Sequence, residues 1–195
     1  RKLRTLRRLR KGLRRVSSMC DVWITTKGGD TGETSIGNGE RIPKDHPRVE
    51  TYGTLDECQA HVGMARSLCE YPEICERLCS LEQELGKLMG YIALYPGLSC
   101  PDIRMLEEFT GKVAEVTGKS FRFVRPGDST PGASLHVART VARRAERVAV
   151  GLFRTGELAE DAYRYINRLS DTIYALSLWY DHLERAKKGD PTTCP

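Results

Sequence analysis

Apolar residues along most of the chain recur at spacings of three and four, the period of an amphipathic α-helix. Residues 72 to about 95 carry the series Ile74, Leu78, Leu81, Leu85, Leu88 and Ile92. Residues 158 to about 186 alternate strictly between the two spacings, as in a heptad seam, with Ile166, Leu169, Ile173, Leu176, Tyr180 and Leu183. The same period appears in residues 47 to about 69, 101 to about 116 and 134 to about 153. Five helices are therefore predicted.

These segments predict an all-α fold, a bundle of about five helices preceded by a Gly-rich loop. Strand-type alternation is sustained nowhere in the sequence. A length of 195 residues with 39% hydrophobic content suits one domain, and no apolar run approaches the roughly 20 residues of a membrane span. We expect a basic leader in residues 1–20, the helical domain in residues 21–187 and a tail in residues 188–195.

The leader changes how the net charge of +5 is interpreted. Residues 1 to 15 hold nine Lys or Arg and no acid, which leaves 22 basic and 26 acidic residues, or −4, for the rest. A basic surface that binds nucleic acid is thus not indicated for the folded part. An Arg-rich, acid-poor amphipathic start is typical of mitochondrial transit peptides, so a native leader predicts the mitochondrial matrix. The alternative is a native start at Met19 and a bacterial cytoplasmic protein.

The loop before the first helix has the layout of an anion-binding segment. Five glycines lie between positions 28 and 39, which lets backbone N–H groups turn towards one point. Lys27 and Lys44 add positive charge for phosphate oxygens. The segment is not a P-loop, because it lacks the required Gly-Lys-Ser/Thr ending. Ordinary turn chemistry remains the alternative.

The fourth predicted helix carries a stack of arginines, Arg139, Arg143 and Arg147, at successive i,i+4 positions. Like charges at this spacing repel by about 0.2–0.5 kcal/mol per pair, so an acidic or phosphorylated group is expected to face them. The alternative is a solvated arginine face on which Glu146 reduces the repulsion. Small apolar neighbours such as Ala138, Ala142 and Ala145 favour a packed helix instead.

Three other positions allow both a binding and a structural interpretation. Asn167 and Asp171 are four residues apart beside the heptad seam, where polar groups need partners. They are either ligand-binding residues or a core hydrogen-bonded pair that fixes register. Phe123 lies in an irregular polar stretch, where an aromatic ring would ordinarily pack onto the bundle.

These segments together resemble one family, the PduO-type ATP:cob(I)alamin (corrinoid) adenosyltransferases. Residues 26 to 32 read Thr-Lys-Gly-Gly-Asp-Thr-Gly and are similar to the family's Thr-Lys-Thr-Gly-Asp-Lys-Gly motif. Later blocks match in order and spacing at residues 43–45, 52–57, 135–147 and 167–171. The resemblance covers residues 22 to about 185. Several separated motifs on one helical pattern make it specific.

The resemblance implies a transferase that moves the 5'-deoxyadenosyl group of ATP to the cobalt of reduced cobalamin, forming adenosylcobalamin and triphosphate. ATP, with Mg²⁺ as its partner, would bind between adjacent subunits of a homotrimer. One subunit would supply Thr26, Lys27, Gly28, Gly29, Thr34 and Lys44, and its neighbour Arg143, Glu146, Arg147 and Asn167. An electron donor and an adenosylcobalamin-dependent acceptor enzyme are implied as further partners.

The same resemblance assigns the corrinoid side of the site. Phe123 and Asp171 would line the corrinoid pocket, and Phe123 would exclude the lower axial ligand so that four-coordinate Co(II) accepts an electron more readily. Asp56 would pair with Arg139 across the subunit interface. Together with Arg143, these two residues and Phe123 form the implied catalytic set.

Some features depart from the family or leave other functions open. Thr31 replaces the usual Lys, Arg125 stands where Leu is common, and Asp128 where Gly is usual. A non-catalytic nucleotide-binding or cobalamin-chaperone scaffold of the same fold would carry similar ATP motifs. A di-iron bundle is nearly excluded, because no His has Glu three residues before it. No metal ligand is assigned to a protein side chain.

Overall fold

Five helices make up most of the protein in a computed structural model that describes residues 27–118 and 124–189. In chain order they are α1 (Pro47–Ser67), α2 (Pro72–Ile92), α3 (Arg104–Thr117), α4 (Thr130–Arg154) and α5 (Glu160–Lys187). The predicted all-α bundle is therefore confirmed. The described residues up to Thr31 belong to one compact unit of the chain and those from Gly32 onward to another, which contains all five helices.

The bundle core consists of the apolar series that the sequence predicts. All six members of the α2 series have no solvent exposure, and in the α5 seam every member is buried except the half-buried Leu183. Helix α4 packs against α1 and α5, while α2 packs mainly on α1 and α3 mainly on α5. Within the described ranges, no helix is long and apolar enough to cross a membrane.

Helix α4 begins four residues earlier than its apolar pattern predicts. Ser129 is the N-cap residue, since its hydroxyl accepts a hydrogen bond from the Gly132 N–H at 3.1 Å, and a proline follows in the first turn. A Ser cap followed by Pro is a helix-start signal, although the Pro and Gly of this stretch also suit an irregular segment. Gly132 is required here, because an added Cβ would collide with Asp181 and Ser129.

A short hairpin precedes α1, and the sequence pattern did not predict it. Strands β1 (Glu33–Ser35) and β2 (Arg41–Pro43) pair antiparallel, with Thr34 opposite Ile42. The turn between them contacts the end of α2, where the Gly37 N–H donates to the Ala93 carbonyl at 2.7 Å. An added Cβ on Gly37 would lie 2.5 Å from the Tyr95 Cα, so only glycine allows this approach.

The start of α1 is fixed by a buried arginine. The Arg48 guanidinium donates to the carbonyl oxygens of Ile92 at 2.9 Å and Glu157 at 3.2 Å, and its Nη2 lies 3.4 Å from the Glu157 carboxylate. These contacts tie the first turn of α1 to the end of α2 and to the segment after α4. His46 caps the same turn, because its Nδ1 accepts from the Arg48 N–H at 3.1 Å.

Candidate active site

A pocket of about 430 Å³ lies between α4, α5 and the segment that leads into α4. Its wall contains apolar, aromatic, cationic and acidic groups. The lining residues are Val124, Pro126, His136, Arg139, Arg143, Ser170, Asp171 and Tyr174. Three residues of the predicted site, Arg139, Arg143 and Asp171, are therefore brought together here.

The arginine stack of α4 has no anionic partner among the described residues. Arg143 and Arg147 are exposed and Arg139 is half-buried, and none of the three forms an ion pair within 4 Å in this part of the chain. The Arg147 Nη1 donates instead to the Arg143 carbonyl oxygen at 2.9 Å. The acidic group expected to face the stack is thus not supplied by the described residues of this chain, which leaves Arg143 and Arg147 available to an external anion.

Arg139 contacts an aromatic ring instead of an acid. Its guanidinium carbon lies 5.7 Å from the centroid of the Tyr174 ring, within the range of a cation–π contact. Its Nε is buried and has no hydrogen-bond partner among the described residues. Asp56, its predicted partner, is exposed on α1, and within the described ranges its side chain makes no ion pair. Neither side chain therefore forms an ion pair with another described residue of the chain.

The charged neighbours of the stack are engaged elsewhere. Arg144 forms an ion pair with Glu57 of α1, which ties α4 to α1. Glu146 accepts a hydrogen bond from Asn167 Nδ2 at 2.9 Å, which joins α4 to α5. Among the described residues, the Glu146 carboxylate therefore binds an amide of α5 and forms no ion pair with the three arginines.

Asn167 and Asp171 do not form a core pair. Both are exposed, and the Asp171 carboxylate lies 3.6 Å from the Arg168 guanidinium. The structural interpretation of these positions as a buried register-fixing pair is wrong, because both side chains are exposed on α5. Their exposed positions leave Asn167 beside the arginine stack and Asp171 in the pocket wall.

His136 is a pocket residue for which no role is predicted from the sequence. It is 3% exposed, its ring lies edge to face with Tyr174 at 5.9 Å, and neither ring nitrogen has a hydrogen-bond partner among the described residues. Burial and then Arg139 lower the pKa of His136, partly opposed by Asp181 and Asp128. A sequence signal existed, since His136 stands three residues before Arg139 and so shares a helix face with it.

Two residues of the predicted ATP site, Thr34 and Lys44, lie in the hairpin and directly after it. Lys44 is exposed, and its backbone N–H donates to the Gly32 carbonyl at 2.8 Å. Thr34 is half-buried in β1. Among the described residues, neither side chain forms a hydrogen bond or ion pair with α4.

Other predicted site residues lie in the first unit or outside the described ranges. Lys27, Gly28 and Gly29 open a turn in which the Asp30 N–H donates to the Lys27 carbonyl at 3.3 Å, and Lys27 has a φ of 59°. Thr26 and Phe123 lie outside the described residues. Within the described ranges, no group of three or more His, Cys, Asp or Glu side chains is placed to hold a metal ion.

The chain is similar to known proteins over most of its length. A family model described as cobalamin adenosyltransferase matches residues 24–180. The chain is 36% identical over 179 residues to a corrinoid adenosyltransferase of Citrobacter freundii, covering 88% of this chain and 98% of the relative. It is 30% identical over 167 residues to the corrinoid adenosyltransferase MMAB of Homo sapiens, covering 79% and 67%.

A solved structure shares both sequence and fold with this chain. It is a variant of a PduO-type ATP:corrinoid adenosyltransferase from Lactobacillus reuteri complexed with cobalamin and ATP. It is 32% identical and has a TM-score of 0.75 over 83% of this chain and 95% of that chain. The resemblance found in the motifs is therefore confirmed, and the protein belongs to the cobalamin adenosyltransferase family.

Proposed function

We propose that this protein transfers the 5'-deoxyadenosyl group of ATP to the cobalt of reduced cobalamin, forming adenosylcobalamin and triphosphate. One observation carries the proposal. Arg143 and Arg147 are exposed one helical turn apart, without an acidic partner among the described residues, and Arg143 lines the 430 Å³ pocket. Unpaired arginines at a pocket are suited to bind a polyphosphate, because guanidinium groups donate two parallel hydrogen bonds to phosphate oxygens.

The chemistry needs little acid–base catalysis. The cobalt of Co(I) donates an electron pair to C5' of ATP, the Co–C bond forms, and the C5'–O bond breaks with its electrons leaving on triphosphate. The nucleophile is already strong, so the protein has to align C5' with cobalt and stabilise the negative charge that develops on the leaving group. Arg143 is the residue best placed to stabilise the leaving triphosphate, because it is an exposed member of the arginine stack and also lines the pocket.

The site is proposed to be shared between adjacent subunits of a homotrimer. Two features support this assembly. Among the described residues, Thr34 and Lys44 form no hydrogen bond or ion pair with the α4 arginines, which supports a site in which a neighbouring subunit supplies those arginines. Asp56 and Arg139 also form no ion pair with the part of the chain that the structure describes, and an ion pair between subunits would satisfy both. Arg147, Glu146 and Asn167 complete the proposed nucleotide side.

The pocket is proposed to take the corrinoid. Val124 and Pro126 supply apolar surface, while Asp171 and Tyr174 supply polar groups on the opposite helix. Phe123 immediately precedes Val124 in the chain, which supports its proposed role of excluding the lower axial ligand of cobalt. Magnesium is proposed to enter with ATP, because triphosphate oxygens are the hard ligands that Mg²⁺ prefers.

Further partners follow from the reaction itself. Co(II) must accept one electron before transfer, so a reductant is required, and the product is a cofactor that an acceptor enzyme uses. We place the protein in the mitochondrial matrix if residues 1–18 are native and in the bacterial cytoplasm otherwise. The relatives include both bacterial and mammalian proteins, which is consistent with either location.

An anaerobic assay tests the proposed reaction. The full chain is incubated with ATP, Mg²⁺ and chemically pre-reduced cob(I)alamin, and the absorbance change on formation of the Co–C bond is followed together with triphosphate release. We expect both products in equal amounts, and neither when ATP is omitted. Binding of ATP and cobalamin without formation of adenosylcobalamin would instead indicate a non-catalytic scaffold.

A further inference from the structure

The imidazole of His136 lies in the pocket and has no part in the proposed reaction. This side chain lies in the pocket wall, is 3% exposed, and has no hydrogen-bond partner for Nδ1 or Nε2 among the described residues. A buried polar nitrogen without a hydrogen-bond partner is destabilising, and nearly all buried polar groups in native proteins have such a partner. A hydrogen bond to a bound molecule would remove this penalty.

The charge of the ring limits what that molecule is. The pKa of His136 is lowered by burial first and by Arg139 second, with Asp181 and Asp128 acting in the opposite direction. The ring is therefore neutral near neutral pH and offers one donor and one acceptor. A triphosphate offers only acceptors and is better matched by Arg143. A primary carboxamide offers both a carbonyl acceptor and N–H donors, which matches the neutral ring.

The surroundings of the ring also favour an amide in a largely apolar setting. Tyr174 occupies one side of His136 in an edge-to-face contact with an interplanar angle of 62°. Val124 and Pro126 add apolar surface to the same pocket. A corrin ring is a large, mostly apolar macrocycle that carries carboxamide arms at its edge, so its periphery has the chemistry that this wall would recognise.

We propose that His136 binds a peripheral carboxamide arm of the corrinoid and thereby orients the macrocycle in the pocket. This inference rests on the proposed function, because it takes the pocket to be the corrinoid side of the site. It adds a residue that the motif comparison does not assign, and it gives His136 no part in nucleotide binding.

Substitutions at His136 test the proposal by separating the two substrates. His136→Phe keeps an aromatic ring against Tyr174 but removes both hydrogen-bonding nitrogens, whereas His136→Gln keeps a donor and an acceptor. We expect His136→Phe to weaken cob(II)alamin binding and raise the corrinoid KM by about tenfold, with an unchanged KM for ATP. His136→Gln should recover part of that loss. His182→Phe, a half-buried histidine of α5 outside the pocket lining, is the matched control and should match the wild type.

A second set of ligands identifies the amide. Cobalamin derivatives in which one peripheral carboxamide is hydrolysed to a carboxylate are compared for wild type and His136→Phe by direct titration. For the derivative that lacks the recognised amide, the wild type should bind more weakly than it binds cobalamin, whereas His136→Phe should bind this derivative and cobalamin equally well. If every hydrolysed derivative weakens binding to the wild type and to His136→Phe by the same factor, the proposal is overturned.

Other outcomes separate this inference from the proposed function. A raised KM for ATP in His136→Phe, or unchanged substrate constants with an altered melting temperature, would show that the ring serves the nucleotide or only the core. Wild-type cobalamin binding without turnover would contradict the proposed function, while the binding difference between wild type and His136→Phe would still decide the role of His136. No cobalamin binding by the wild type would overturn both.

Discussion

The hydroxyl of Ser129 connects the start of α4 to the buried carboxylate of Asp181 on α5. Its oxygen accepts a hydrogen bond from the Gly132 N–H at 3.1 Å, and its O–H donates to the Asp181 Oδ1 at 2.8 Å. Burial raises the pKa of Asp181 above its ordinary value, and the Ser129 hydrogen bond acts in the opposite direction. The helix that carries the arginine stack therefore begins beside a carboxylate whose charge is unfavourable in the fold.

Asp181→Asn should remove this unfavourable charge while keeping an acceptor for Ser129. The folded-state pKa of Asp181 lies above the unfolded value, so the folded protein binds the carboxyl proton more tightly than the unfolded chain does. The contribution of Asp181 to the free energy of unfolding therefore falls as pH rises through the folded pKa. We expect a higher melting temperature for Asp181→Asn than for wild type at pH 7, with the difference shrinking as pH falls towards 4. Thermal unfolding at several pH values measures it.

Asp181→Ala is the control for that prediction. It removes the charge as well, but it leaves the Ser129 hydroxyl without its acceptor and creates a cavity, so it should be destabilising by about 1–3 kcal/mol at pH 7. A lower melting temperature for Asp181→Asn at every pH would show instead that the ionised carboxylate stabilises the start of α4.

Arg143→Ala should slow transfer more than it harms the fold. The lost contact is charge-assisted and strengthens as triphosphate leaves. Its removal is expected to cost about 2–4 kcal/mol of transition-state stabilisation, measured as a lower kcat/KM. Arg154→Ala is the matched control, because Arg154 is also exposed on α4 but lies in its last turn, away from the pocket. Unchanged kinetics at limiting ATP would remove Arg143 from the reaction.

Mixed trimers test whether the nucleotide site is shared. Lys44→Ala and Arg143→Ala chains should each be weakly active alone, because each damages one half of every site. After subunit exchange, a mixed trimer of the proposed kind would contain some sites in which both halves are intact, so part of the activity should return. If exchange is shown by differently tagged chains and no activity returns, the two residues serve the same subunit's site.

Phe123→Ala separates reduction of cobalt from transfer. If the ring excludes the lower axial ligand, the variant should still bind ATP and should fail mainly in assays that start from Co(II), because five-coordinate cobalt resists reduction. It should retain more activity with pre-reduced Co(I), which has already lost that ligand. A residue that only packs would lower the melting temperature and reduce both activities in parallel.

Removing residues 1–18 tests the role of the basic leader. We expect the shortened protein to keep its melting temperature and turnover, since the family match begins at residue 24. A fluorescent fusion should lose mitochondrial import without the leader if the segment is a transit peptide. Weaker ATP binding after truncation would indicate that the leader belongs to the active site.

The helices were predictable from sequence because the apolar residues buried on one helix face recur every three or four positions. Leu78, Leu85 and Leu88, for example, are fully buried on one face of α2, and this spacing can be recognised without knowing which helices pack against it. The strands of the hairpin are three residues long, too short to show alternation. Ser129 carries a recognisable helix-start signal, but the Pro and Gly after it also suit a turn.

The site was predictable only in part. Arg143 and Arg147 stand out because a helical repeat of like charges needs an explanation, and in the structure they are exposed and form no ion pair among the described residues. Asn167 beside the α5 seam gives no sequence clue to which way it turns, and its hydrogen bond to Glu146 depends on how α4 and α5 cross. The unpaired nitrogens of His136 likewise follow from three-dimensional burial alone.

The contact between Gly37 and the end of α2 bears on binding entropy. The hairpin that carries Thr34 and Lys44 is already held by the hydrogen bond from Gly37 to Ala93 and by the buried side chains of Ile36 and Ile42. A segment ordered before the ligand arrives loses little conformational freedom on binding, so more of each contact's energy appears as affinity. Nucleotide recognition by this hairpin is therefore expected to be preorganised, with a correspondingly small entropic penalty.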